Sequence, residues 1–456
     1  MKPQAAITLL LFSLVCGASS TATAAQPNIV FIIADDCTYW DMEVYGGQAS
    51  TPNLNKLAGQ GMQFSRCFQA APMCSPTRHN IYTGLYPVKS GAYPNHTYVK
   101  EGVRSVAHYL GDAGYRVALS GKRHINPPAA FPFEYSAAKN NPDLDAINSL
   151  MSECKATDTP FCLFACSNEP HTPWNLGDPS KYDAAKIELP EFYVDTPETR
   201  AGFVKYLAEI TYFDSQVGEI LSLLDKHELA DDTLVMVVSE QGNSLPFAKW
   251  TCYDAGLQSG MIVRWPGVVE SASKSDAIVE YVDILPTFLD ASNVKAPRSL
   301  DGSSFLKVLS GKRDSHKDFT YALMTTRGII NGSEHYGIRT VRSAEYRYIV
   351  NLTADVPFQN VVMKGDIWKS WLAVAESGDE SAKEITSRYM IRPVEELYRI
   401  SGGEYEWNNL ADDPQYSDTK AALREKLESW MREQGDLGQE TEMNATARLY
   451  KNRKKK

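Results

Sequence analysis

Pro27-Asn28-Ile29-Val30-Phe31-Ile32-Ile33-Ala34-Asp35-Asp36 is the stretch on which the reading of the fold turns. Residues 29–34 form an unbroken apolar, β-rich run with no polar residue to face water. Such a strand has both faces covered, as in a parallel sheet packed between helices. Two acids follow at the point where the strand ends.

Outward from this run, the segments 115–120, 161–165 and 234–238 read as further buried strands. Residues 52–61 and 105–113 read as helices. Residues 203–224 form a longer helix, with Leu207, Ile210, Val217, Leu221 and Leu224 on or near one face. Strands alternating with helices predict an α/β domain, a mostly parallel mixed sheet flanked by helices, over residues 26–312. The pattern changes after Leu300-Asp301-Gly302 to Gly311-Lys312. Residues 336–340, 346–351 and 396–400 read as antiparallel strands. Residues 417–433 read as a helix capped by Ser417 that buries Leu423, Leu427, Trp430 and Met431. A smaller C-terminal α+β domain, with an antiparallel sheet and a terminal helix, is therefore expected over 313–440. A basic, disordered tail is expected over 441–456.

The first 25 residues read as an export signal. Lys2 gives a basic start, 7–15 is apolar, and Ala22-Thr23-Ala24 offers a cleavage site. The expected protein is periplasmic or secreted, without a lipid anchor or stable membrane insertion. Its 456 residues carry a formal net charge of -10, which argues against nucleic acid as a partner. The cysteines beyond the signal, Cys37, Cys67, Cys74, Cys154, Cys162, Cys166 and Cys252, are odd in number. Some pairing among them and buried free thiols are both open readings.

Polar residues gather just past the expected strands: Asp35 and Asp36, Lys122 and His124, His171, and Glu240 and Gln241. Ligands of open α/β sheets bind beyond the carboxyl ends of strands. Carboxylates and a carboxamide there suit a hard cation such as Ca²⁺ or Mg²⁺.

Cys74-Ser75-Pro76-Thr77-Arg78, running on to Thr83-Gly84, matches the C-x-P-x-R signature of the sulfatase family. Gly114 to Gly121-Lys122-Arg123-His124 matches the family's second signature, and His171-Thr172-Pro173 resembles its His-x-Pro element. Arg264-Trp265-Pro266-Gly267 and Glu396-Leu397-Tyr398 resemble later landmarks, so the likeness spans nearly the whole chain past the signal. The fold it implies is alkaline-phosphatase-like.

The resemblance implies that Cys74 is oxidised to formylglycine by a maturation enzyme that reads Pro76 and Arg78. Arg78 would hold the hydrated aldehyde. One Ca²⁺ would sit on Asp35, Asp36, Glu240 and Gln241 beside residue 74. Lys122 and Lys249 would neutralise sulfate, His171 would protonate the leaving oxygen with help from Lys249, and His124 would assist sulfate release. The family usually has Asp then Asn or His where Glu240-Gln241 stand, so each ligand here is one methylene longer. Arg123 replaces a common aromatic and is expected to add a cation to the pocket.

The expected substrate is a sulfated carbohydrate, cleaved at a sulfate ester. Lys122-Arg123-His124 and Asn95-His96-Thr97 also resemble the sulfamidase branch, which implies N-sulfate as a second reading and a sugar contact for His96. A phosphoester or phosphonate hydrolase of the same superfamily is a third. A non-catalytic glycan-binding relative would be expected to have lost Cys74, Arg78, Lys122 or the histidine pair, and all are present.

Overall fold

The computed structural model describes residues 26–401 and 405–453; the expected signal lies outside them. The larger sheet contains β1 (Asn28–Ala34), β2 (Met62–Phe68), β3 (Arg116–Gly121), β4 (Glu134–Tyr135) and β5 (Phe161–Cys166). It continues with β6 (Thr233–Ser239), β7 (Gln258–Arg264), β8 (Ser273–Ser275) and β9 (Val279–Glu280). The strand order is β4-β3-β5-β1-β6-β7-β2-β8, with β9 on β2. β3, β5, β1 and β6 run parallel, and β7 is antiparallel to both β6 and β2. The sheet is therefore mixed but mostly parallel, as expected.

β1 lies between β5 and β6, and Ile29 through Ala34 are fully buried. Val30, Ile32 and Ala34 face one hydrophobic cluster, while Ile29, Phe31 and Ile33 face the other, so the sheet is covered on both sides. The long helix Pro197–Lys226 packs on one side. It begins at Thr196, whose side chain accepts from the Thr199 N–H, followed by Pro197.

The second sheet is antiparallel, in the order β10 (Thr320–Thr325), β11 (Gly337–Arg342), β12 (Tyr346–Asn351), β13 (Glu395–Arg399). Its Ala322, Met324 and Ile338 join the same cluster as Val30 and Ile32, so the two sheets share core. The helix Ser417–Gln434 buries Leu423, Leu427 and Trp430, with Met431 partly buried beside them.

Some expectations need correction. Ser417 is the first helical residue, and Tyr416 precedes it without a side-chain cap. Within the segment expected to be disordered from 441, the described residues to 453 are helical: the helix Gln439–Asn444 is followed by short helical turns that include Tyr450–Arg453. It is held down because Leu449 bridges to Thr97 and Arg448 Nε donates to Gly91 O at 2.7 Å. Its basic residues hid these contacts, which are long-range in sequence. All seven cysteines within the described residues are buried free thiols.

Candidate active site

The parallel register brings four loops to one edge. Beyond the strand ends, Asp35 N–H donates to Glu169 O (2.9 Å), Glu240 N–H to Ala34 O (3.0 Å) and Lys122 N–H to Cys166 O (2.9 Å). The turns after β1, β3, β5 and β6 are thus laced together, and their side chains converge. Asp36 takes a left-handed backbone (φ 60°), which Asp tolerates better than most residues.

Cys74 opens the helix Cys74–Thr83, which is buried along its whole length and closes on Gly84 in the left-handed conformation (φ 63°). Two of its side chains place neighbouring parts. Arg78 Nη1 donates to Lys122 O (3.0 Å), and the His79 ring lies against Ser75 O (2.7 Å) and Asn126 O (3.1 Å). The helix therefore sets both Cys74 and the loop that carries Lys122 and His124.

Cys74 Sγ lies 3.3 Å from Asp35 Oδ1 and 3.8 Å from Asp36 Oδ1. Gln241 Nε2 lies 2.6 Å from Asp36 Oδ1 and 2.9 Å from Cys74 Sγ. The fully buried Arg78 guanidinium is 3.0 Å from Glu240 and 3.7 Å from Asp35. Lys122 pairs with Asp35, and Lys249 pairs with Asp36 at 2.7 Å. Ser244 Oγ donates to Asp36 Oδ2 at 2.5 Å. Three acids and three cations form a buried, charge-balanced cluster. Burial pushes the Cys74 thiol up to about 12, so as encoded it is a neutral thiol and a weak nucleophile.

The donor set fits a hard cation. Ligand atoms of Asp35, Cys74 and Glu240 lie within 4.8 Å of one another, as do those of Asp36, Cys74 and His171. Glu240 Oε1 and Gln241 Oε1 are buried without a hydrogen-bond partner. Turning the Gln241 amide over would aim its unpartnered oxygen where its NH₂ now meets two carboxylates.

His171 Nε2 stands 3.6 Å from Asp36, and its Nδ1 meets Thr172 O at 2.6 Å. Asp36 alone would raise its pKa, but burial with Lys249 and Lys122 outweighs this and lowers it to about 4. His124 Nε2 meets His96 Nδ1 at 2.9 Å.

A cavity of about 830 Å³ opens over the cluster, with Cys74, Lys122, His124, His171 and Lys249 at its polar end. Its other walls include Trp174, Ile329, Ile330, Val362 and Ile367. These apolar residues and Ser244 were missed in the sequence. Ser244 could have been found from its closeness to Gln241, whereas the apolar walls carry no chemical signature.

Asp35, Asp36, Cys74, Arg78, Lys122, Glu240, Gln241 and Lys249 come together in one cluster, and His96, His124 and His171 line the cavity above it. Arg123 does not join them. It donates to Ser136 O (2.8 Å), stacks 4.3 Å over Tyr135, and is not among the cavity-lining residues. The expectation of an extra pocket cation is corrected: the Arg123 guanidinium is held by Ser136 O and the Tyr135 ring, away from the Asp35 carboxylate that Lys122 meets.

The family model described as Sulfatase matches residues 27–294. The chain belongs to the sulfatase family. It is an enzyme of that class, a hydrolase of sulfate esters. A second model, N-sulphoglucosamine sulphohydrolase, C-terminal, matches residues 242–356. An ulvan-active sulfatase of Formosa agariphila is 32% identical over 92% of this chain and 82% of its own length. Human N-sulphoglucosamine sulphohydrolase is 25% identical, over 90% of this chain and 91% of its own. Among solved structures, BT4656 in complex with its substrate D-glucosamine-2-N,6-O-disulfate shares the fold of this sulfatase. The TM-score is 0.67 at 18% identity, over 91% of this chain and 99% of that one.

Proposed function

We propose that this sulfatase is exported and removes sulfate from sulfated carbohydrates, using a formylglycine made from Cys74 and one bound calcium ion. The observation that carries the reading is the convergence of Cys74, three acids and three cations in one cluster, with His124 and His171 lining the cavity above it. The relative named as ulvan-active supports a polysaccharide source of the substrate.

Asp35, Asp36, Glu240 and Gln241, with position 74, would hold the calcium. When bound, it supplies Lewis-acid polarisation of sulfate oxygens and favours an ionised hydroxyl at position 74. Once matured, position 74 would offer two hydroxyls, one as the nucleophile toward sulfur and one whose deprotonation would release sulfate with return of the aldehyde. Arg78, locked by Glu240 and by Lys122 O, orients position 74. Lys122 and Lys249 offset the sulfate's charge as it shifts toward the leaving oxygen. His171 Nδ1–H donates a hydrogen bond to Thr172 O, so Nε2 is the nitrogen free to act on substrate. Its ring is neutral at rest, and an arriving sulfate ester, being anionic, raises its pKa. Nε2 then holds the proton that the leaving oxygen needs.

The apolar wall of Trp174, Ile329 and Ile330 suits a sugar face. A second reading, an N-sulfated sugar, is favoured by the match of residues 242–356, which include Lys249, Ile329 and Ile330.

The test is sulfate release from a panel of O- and N-sulfated oligosaccharides, with formylglycine at position 74 confirmed by peptide mass. Release from O-sulfated members, absent in Cys74→Ala, is the expected result. Release from N-sulfated glucosamine alone would move the protein to the second reading. No release from any member or from an aryl sulfate, with formylglycine confirmed, would overturn the proposal.

A further inference from the structure

His96 and His124 form a contact that has no part in the proposed binding of calcium or protonation of the leaving group. His124 Nε2 and His96 Nδ1 are 2.9 Å apart, so one donates and the other accepts. The second nitrogen of His124, Nδ1, is buried and has no partner. The largest charge effects on His124 come from His96, Lys122, Arg78 and His79, and those on His96 from Lys249 and Lys451. No carboxylate is among them, and both rings are held below the ordinary histidine pKa, first by burial. A proton taken up by His124 is therefore repelled, and among the described residues its hydrogen-bonded exit is His96, which lines the cavity and is partly open to water.

We propose that His96 is a positioning and relay residue, which fixes the tautomer of His124 and carries its proton to cavity water. This rests on the reading that His124 serves sulfate release. At rest, His124 Nε2–H donates to His96 Nδ1, leaving His124 Nδ1 with a free lone pair. When His124 Nδ1 takes the proton of the second hydroxyl at position 74, that O–H bond breaks, its electron pair reforms C=O as sulfate leaves, and a new N–H bond forms on Nδ1. The Nε2–H bond of His124 breaks as that proton moves to His96 Nδ1, and His96 releases its own Nε2 proton to water. Both rings end neutral as the opposite tautomers, and the reverse passage restores them.

His96 is built into place. Its backbone is left-handed (φ 56°); Tyr450 N–H donates to His96 O (2.9 Å), Thr97 Oγ1 to Arg448 O (2.9 Å) and Asn95 N–H to Arg327 O (3.3 Å). The C-terminal segment thus grips the loop on one side and the turn after β10 grips it on the other.

His96→Asn separates the two roles. Asn tolerates the left-handed backbone and keeps an acceptor near Nδ1, but cannot pass a proton on. In the matured enzyme, kcat falls about 10- to 100-fold, by analogy with lost outer-shell partners of histidine, while KM stays within about twofold. Imidazole in the buffer restores part of kcat in His96→Asn and not in wild type. A loss confined to KM, or no rescue, overturns the relay. A second measurement needs no turnover. ¹⁵N-histidine NMR of the resting, unmatured protein should show His124 protonated at Nε2 and His96 unprotonated at Nδ1. The opposite assignment overturns the proposal even if every sulfated substrate fails, a failure that would count against the sulfate reading itself.

Discussion

Arg78→Met removes one cation from the buried cluster and nearly keeps its volume. The Arg78 side chain is fully buried, with Glu240 at 3.0 Å and Asp35 at 3.7 Å. Lys122 and Lys249 still face Asp35 and Asp36, but Glu240 loses its closest cation. Breaking a buried pair by removing one partner costs about 3–5 kcal/mol. An unfolding entropy of about 2.1 cal/mol/K per residue over 456 residues is roughly 1 kcal/mol/K, so Tm falls by about 3–5 °C. Differential scanning calorimetry in the presence of chelator reads this directly. Calcium should then raise the Tm of the variant more than that of wild type, because it meets acids with one fewer competing cation. The stabilisation follows RT ln(1 + [L]/Kd), about 2.7 kcal/mol at a hundredfold excess over Kd. A chelated Tm loss below about 1 °C, or a smaller calcium shift in the variant, would refute the charge balance inferred for this cluster.

Three further outcomes are expected. Cys74→Ala abolishes sulfate release while circular dichroism stays native, since the helix Cys74–Thr83 accepts alanine at its first position. Asp41 is buried away from cations, and burial pushes its carboxyl up to about 7 from 3.8. The folded state therefore binds its proton more tightly than the unfolded chain does; the stabilisation is full below 3.8 and is lost as pH rises through 7. Asp41→Asn should flatten that fall, with urea midpoints at pH 5 and pH 8 differing less than in wild type. The full effect is on the order of 4 kcal/mol, from about 1.4 kcal/mol per unit. Ile330 is 69% exposed on the cavity rim. Ile330→Ser should raise KM about threefold to fivefold, from about 0.8 kcal/mol per CH₂ covered by substrate, and leave Tm unchanged.

Much of the sheet was legible in the chain. The buried strands at 29–34, 161–165 and 234–238 are continuous apolar runs, and such runs have few other uses at that length. β2 (Met62–Phe68) and β10 (Thr320–Thr325) escaped notice because each mixes polar residues into a short segment whose place is set by its neighbours. Thr196 and Pro197 extended the long helix by more than a full turn ahead of its expected start at 203, through a cap that hydrophobic periodicity does not report.

The sequence by itself determined the alternation of strands and helices and the chemical identity of the polar cluster. Those depend on side-chain type and on spacings within single elements. Only the tertiary structure decided which side chains share a space. It turned Arg123 onto Tyr135 while its neighbour Lys122 reached Asp35, a difference of one residue along the chain. It also brought Ile329, Ile330 and Ile367 to a cavity whose chemistry lies at residues 35–250, and set residues 448–450 against the loop that carries His96. Those contacts span about 80 residues or more, and apolar walls or backbone bonds of that kind carry no local pattern. They form because closing the two sheets on a shared core removes apolar surface from water, wherever along the chain that surface lies.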